Sequence, residues 1–259
     1  MVSPSLTKLV FVACFVLFTF SDKLVAEESD KVQLYLYYES LCPGCQMFIV
    51  DGLVKFFDSD LDTITDVKLV PFGNAKVSDN MTVTCQVHFN FSLFLCPTFM
   101  TKLSFYLTYC LGNFVKHGEE ECKLNAFEAC AIKILTNPKS QYTFIRCVEN
   151  DTEHFQQECF QGFGDEKDVN DCYNSDLSKK LILENAKQTM SLKPKHVFVP
   201  WVTLNGKPLY DKLDDLVSQV CNTYKGKAPL PKQCNPSALS EKKTTSKLQF
   251  SYANGAIKY

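Results

Sequence analysis

The sequence lacks several things, and each absence excludes something. It has no surplus of positive charge: 27 lysines and arginines stand against 29 aspartates and glutamates in 259 residues, a formal net charge of −2. Nucleic-acid binders ordinarily carry a basic excess, so no nucleic-acid partner is expected. The first apolar run, residues 9–20, is twelve residues long, short of the roughly 20 that a membrane-spanning helix needs. There is no His-x-x-x-His and no second Cys-x-x-Cys, so the second close ligand pair of a structural zinc site is missing and no metal is expected. The chain closes on Lys-Tyr, which is not an ER-retention signal.

Other features are abundant. Apolar residues make up 46% and charged residues 22%, enough to bury a core. Thirteen cysteines and 21 phenylalanines are high counts. Lys8, the apolar run and the small residues Ser21 and Ala26 read as a secretory signal peptide over residues 1–26. Its removal takes Cys14 and leaves twelve cysteines, an even number that suits an oxidising compartment. No stable membrane span is expected afterwards. Sequons at Asn80, Asn90 and Asn150 fit the same route.

Residues 31–40, KVQLYLYYES, read as a buried strand. Cys42-Pro43-Gly44-Cys45 follows, and residues 46–57 place apolar side chains at helical spacing. The dithiol therefore sits where a strand turns into a helix. Unpaired N–H groups and partial positive charge at a helix N-terminus favour a thiolate at the first cysteine. Pro43 suits the first turn because its missing N–H has no intrahelical partner there. This context favours redox chemistry over half of a zinc site or a structural disulfide, which so tight a loop makes a poor staple.

A second strand is expected at 66–72. Strand, dithiol, helix, strand opens a thioredoxin-like fold, and the closing half comes late. Residues 177–192 read as a helix, 197–204 as a strand containing Pro200, Asn205-Gly206 as a hairpin turn, and 211–224 as the last helix. Pro200 is the candidate cis-proline beside the dithiol. Between the halves lies an insertion of about a hundred residues, cysteine-rich and helical in pattern, with Glu119, Glu120 and Glu121 opening a helix. The fold class is thus α/β, thioredoxin-like with a mainly helical insertion, over residues 27–234. Residues 235–259 are polar and read as a flexible tail.

The centre of the chain reads His117-Gly118-Glu119-Glu120-Glu121-Cys122, then Asn125, Glu128 and Cys130, with Cys85-Gln86 upstream. With the C-x-x-C start and the VPWVTLNGKPL segment, this resembles the gamma-interferon-inducible lysosomal thiol reductase family, over residues 31–234. That family carries a C-Q-H-G-x-x-E-C-x-x-N signature. The resemblance implies a soluble glycosylated enzyme of the secretory pathway, lysosomal or vacuolar or extracellular. It implies reduction of disulfides in protein substrates with an external thiol reductant and no cofactor, and it makes Cys42 and Cys45 the redox pair.

The sequence departs from that signature once. Gln86 and His117 are separated by residues 87–116, a stretch with six phenylalanines, no acidic residue, and Cys96 and Cys110. A retained intron accounts for it. Every valine codon begins with GT, one lysine codon ends with AG, thirty codons keep the frame, and thymine-rich DNA encodes Phe, Leu, Ser, Cys and Tyr. An evolved loop would expose a large apolar patch, and Pro97, Lys102 and scattered Ser and Thr make a poor membrane segment.

Eight cysteines remain for structural disulfides: Cys85, Cys122, Cys130, Cys147, Cys159, Cys172, Cys221 and Cys234. Cys221 and Cys234 are proposed partners from proximity alone. In the expected chemistry Cys42 attacks a substrate disulfide and the less exposed Cys45 resolves the mixed disulfide. Acidic operation requires a low Cys42 pKa, with His117 and His196 as candidate sources of charge. The alternatives are a DsbA-like or isomerase-like protein, a non-catalytic disulfide-stapled secreted binding module, and an inactive splice form.

Overall fold

The structure is a computed structural model that describes residues 30–86, 117–161, 163–210, 212–236, 250–252 and 257–258. The expected signal peptide, the 87–116 stretch and the Asn90 sequon lie outside the described residues. From Lys31 onward the chain belongs to one compact unit.

Strand β1 (Val32–Tyr38) leads into helix α1 (Pro43–Met47). A π-helical turn at Phe48–Gly52 and helix α2 (Val54–Phe57) complete the segment expected to be one helix. The break is local: the Leu53 N–H donates to the Phe48 carbonyl at 2.9 Å, five residues back. Strand β2 (Thr65–Pro71) follows, then short strands β3 (Lys76–Val77) and β4 (Val83–Thr84).

The inserted region holds helices α3 (Gly118–Ile134), α4 (Pro138–Asn150), α5 (Phe155–Glu158) and α6 (Glu166–Tyr173). Helix α7 (Asp176–Met190) returns the chain to the sheet. Side chains cap the starts of α4 and α7. Asn137 Oδ1 accepts the N–H groups of Lys139 and Ser140 ahead of Pro138, and Ser175 Oγ accepts that of Leu177.

The strand expected over 197–204 is split into β5 (Phe198–Val199) and β6 (Trp201–Leu204). Pro200 has no N–H for the ladder, and its peptide bond to Val199 is cis. Strand β7 (Lys207–Pro208) returns through Asn205-Gly206, whose φ angles of 47° and 75° suit that dipeptide. The last helix is shorter than expected. A 3-10 turn covers Lys212–Asp215, and helix α8 spans only Leu216–Thr223. Strands β8 (Phe250–Tyr252) and β9 (Ile257–Lys258) lie within the segment read as a flexible tail.

The main sheet has the order β2-β1-β6-β7. β1 runs parallel to β2 and antiparallel to β6, in a register that sets Tyr37 opposite both Val70 and Trp201. Parallel pairing to a strand reached through a helix, followed by an antiparallel hairpin, is a thioredoxin-like arrangement. β1 is central and almost wholly buried, with Leu34, Leu36 and Tyr38 at 0% exposure, which explains its continuous apolar run. The inserted helices have an aromatic core of their own. Phe127 of α3 meets Phe155 and Tyr173 edge-on, at ring centroid distances of 4.9 and 5.6 Å.

Four disulfides tie this scaffold: Cys85–Cys122, Cys130–Cys172, Cys147–Cys159 and Cys221–Cys234. The first joins the residue after β4 to the second turn of α3, and the second joins α3 to α6. The third anchors the end of α4, and the fourth pins the chain after α8.

Candidate active site

β1 carries the chain to the dithiol. Its register places Pro200 level with the end of β1, so the loop into Cys42 and the proline lie at one end of the sheet. Cys42 stands at the N-cap of α1 with extended backbone (φ −75°, ψ 118°), Pro43 occupies the first turn, and the Cys42 carbonyl accepts the Gln46 N–H at 2.9 Å. Cys42 and Cys45 carry free thiols, whereas the other cysteines among the described residues are in disulfides. Burial pushes the Cys45 thiol well above its ordinary range, helped by Cys42 and by the Glu39 carboxylate and opposed by the Glu39 backbone N–H. Cys42, expected to be the more accessible of the two, is as buried as Cys45, both at 0% exposure.

Helix α4 holds the π turn in place. Tyr142 Oη donates to the Ile49 carbonyl at 3.1 Å and Arg146 Nε to the Val50 carbonyl at 2.9 Å. Two carbonyls that the irregular turn leaves without regular α-helical partners are thereby satisfied.

One signature residue reaches the dithiol loop. Asn125 Oδ1 accepts both the backbone N–H of Ser40 (2.9 Å) and its Oγ–H (3.1 Å), so α3 grips the loop two residues before Cys42. Gln86 Oε1 accepts from Asn74 Nδ2 at 2.8 Å, and the Gln86 N–H donates to Glu121 Oε1 at 3.3 Å. His117 and Gly118 open α3, with the Gly118 N–H donating to the Gln86 carbonyl at 3.2 Å. Of these residues, Asn125 bears on the dithiol loop through Ser40, whereas Gln86 and His117 stand where the chain enters α3. Cys85, Cys122 and Cys130 are disulfide-bonded and belong to the frame. The sequons at Asn80 and Asn150 are exposed.

A group of buried carboxyls packs behind the dithiol, and the sequence did not single it out as a site. Glu39, Glu121 and Glu128 are at 0% exposure and Glu149 at 3%. Glu39 Oε2 accepts the Asn74 N–H at 2.9 Å. Gly73, at φ +57°, makes room for that side chain: a Cβ there would stand 2.4 Å from Glu39 Cβ. Glu128 faces Glu149, Tyr38 and Ser40, while Glu149 also faces the Leu41 N–H and Gln46. None of their four carboxyl oxygens has a hydrogen bond of good geometry. The strongest influences on Glu121, Glu128 and Glu149 include no lysine or arginine. Burial therefore pushes Glu121 up to about 10, Glu149 up to about 7, and Glu128 well above the carboxylate range, with Glu149 adding to the rise at Glu128. Glu121 and Glu128 hold their protons at neutral pH, and Glu149 holds its own at acidic pH.

His196 feels the Glu39 charge, but burial outweighs it and moves the imidazole below its ordinary value. The signal for the carboxyl group lay in the spacing of Glu121, Asn125 and Glu128, which shares one face of a helix. A block of three glutamates at a helix start also suits a solvated first turn, and that hid Glu121.

Comparison with known proteins adds the family. A model described as gamma interferon inducible lysosomal thiol reductase matches residues 33–89 and 105–163. The chain is 57% identical over 264 residues to a gamma-interferon-responsive lysosomal thiol protein of Arabidopsis thaliana, covering 100% of both. It is 35% identical to a gamma-interferon-inducible lysosomal thiol reductase of Carassius auratus (78% of this chain, 72% of the other). It is 33% identical to that of Mus musculus (83% and 76%). Among solved structures, a putative protein disulfide isomerase from Nitrosomonas europaea aligns with a TM-score of 0.41 at 14% identity, over 67% of this chain and 84% of that one.

Proposed function

The chain belongs to the gamma-interferon-inducible lysosomal thiol reductase family, whose members are oxidoreductases acting on disulfides, and we propose that it reduces disulfides of protein substrates through Cys42 and Cys45 at acidic pH. One observation carries this reading. The structure spends eight cysteines on four disulfides and keeps two free thiols together, at the start of a helix that follows the central strand.

The Cys42 thiolate attacks one sulfur of the substrate disulfide, and the other sulfur leaves as a thiolate and takes a proton. Cys45 loses its own proton and attacks the Cys42 sulfur of the mixed disulfide. The second substrate thiol leaves, and the enzyme is left with a Cys42–Cys45 disulfide that an external thiol must reduce. Burial favours the neutral thiol of Cys45, so it waits protonated until the mixed disulfide forms. Glu121, Glu128 and Glu149 support acidic operation: protonated, these three add no charge behind the dithiol.

The lysosome or vacuole, reached through the secretory pathway, is the compartment that fits. Exposed Asn80 and Asn150 are open to glycosylation on that route. No helix among the described residues is long and apolar enough to cross a membrane.

Residues 87–116 are proposed to be dispensable, as a retained intron would be. The flanks close without them, through the Gly118-to-Gln86 hydrogen bond and the Cys85–Cys122 disulfide. The family model leaves residues 90–104 of this stretch unmatched, while it matches 87–89 and 105–116.

The test is insulin-disulfide reduction at pH 5 and pH 7, by the chain with and without residues 87–116. Activity at pH 5 that Cys42→Ser abolishes supports the reading. A folded chain without reductase activity at either pH contradicts it and favours an oxidase or a binding module.

A further inference from the structure

The C-terminal tail returns to the active site. β8 pairs antiparallel with β5, Tyr252 opposite Phe198 and Ser251 opposite Val199, and folds back on β9. β5 is the segment that enters Pro200. β8 also lies against α1, the helix that begins with the dithiol. One strand of the tail therefore borders both walls of the site. Cys234, the last cysteine of the sequence, is held to α8 by its disulfide to Cys221.

A second observation is the state of the nucleophile. Cys42 has 0% exposure. Sulfur attack on a protein disulfide needs direct approach to the thiolate, so something that covers Cys42 must move before reaction. The β5–β8 pairing is two residues long, and such short strand pairs are weakly held. Residues 235–259 contain no cysteine, so the tail can occupy the site without being a substrate.

We propose that the C-terminal tail closes the dithiol site by adding a strand to the β5 edge, where an extended, disulfide-bearing segment of the substrate must displace it. The proposal rests on the reading of Cys42 and Cys45 as the redox pair. Strand addition takes its affinity from backbone hydrogen bonds and makes few demands on side chains. The partner it fits is thus an unfolded or extended polypeptide of broad sequence.

The test uses the full chain carrying Ser251→Pro and Tyr252→Pro, which together remove the tail N–H groups available to this pairing. The reduced, folded protein is treated with iodoacetamide, and alkylation of Cys42 is followed by mass spectrometry. The variant is expected to react about tenfold faster than the unaltered chain, as opening of a weakly held segment predicts. A chain ending at Asn235 should react equally fast, and a synthetic peptide of residues 247–259 should slow it again. Equal Cys42 alkylation in all forms would overturn the proposal. Insulin reduction is measured separately: faster alkylation without reductase activity would leave the tail as the cover and remove the reductase reading instead.

Discussion

The N–H of Gly118 donates to the carbonyl of Gln86 at 3.2 Å, although thirty residues separate Gln86 from His117. The Cys85–Cys122 disulfide closes the same junction one step further out. Deleting residues 87–116 should therefore leave a chain that folds with the same four disulfides and a melting temperature no lower than that of the full chain. Disulfide mapping and calorimetry check this. Scrambled pairing in the shortened chain would show that the stretch is part of the fold.

Asn125 holds the dithiol loop through two hydrogen bonds to a fully buried Ser40. Asn125→Ala leaves two buried donors without their acceptor, at a cost of about 2–4 kcal/mol. Urea unfolding should show that loss, with faster alkylation of Cys45 at denaturant concentrations well below the midpoint.

Gly73 and Glu39 are in closer contact than any other residue type at position 73 allows. A methyl group there would overlap Glu39 Cβ at 2.4 Å and would sit at positive φ. Gly73→Ala should destabilise the fold by about 2 kcal/mol or more, from backbone strain and displacement of a buried carboxylate together. Thermal unfolding measures it, and an unchanged midpoint would mean that Glu39 is free to move.

The carboxyls make stability depend on pH, and the sign is fixed. Glu149 and Glu121 hold protons up to about 7 and about 10 in the folded chain, against an ordinary 4.5. Below that ordinary value both states are protonated and no cost arises. As pH rises above it, the unfolded chain releases protons that the folded chain keeps, so the folded state loses relative stability, through neutrality and beyond. The melting temperature should fall by several degrees from pH 5 to pH 8, since about 1 kcal/mol shifts it by some 2–4 °C at this size. Glu149→Gln should flatten the part of that fall below about pH 7. A melting temperature that rises from pH 5 to pH 8 would contradict the assignment.

Much of the site was legible in the sequence because local chemistry wrote it there. The apolar run of β1, Pro43 after Cys42, and Asn205-Gly206 each has one dominant structural use, and each fell where that use predicts. The splits were harder. The turn at Phe48–Gly52 keeps its apolar residues at spacings that an unbroken helix also satisfies, and its stability comes from Tyr142 and Arg146, which are distant in sequence. Glu121 read as part of a charged helix start, and Glu149 carried no signal of its own. Only the packing of α3 and α4 against the dithiol loop turns them inward, and no local signal marks that. The tail strand was missed for the same reason: its partner is Phe198–Val199, and short polar segments carry little periodicity.

The most direct measurement traps the intermediate. Reduced Cys45→Ser protein is mixed with insulin at pH 5, quenched in acid and analysed by non-reducing mass spectrometry. The account predicts a covalent adduct between Cys42 and one insulin chain, absent from Cys42→Ser protein. An adduct that persists in Cys42→Ser, or none in a folded Cys45→Ser chain whose Cys42 still reacts with iodoacetamide, would contradict it.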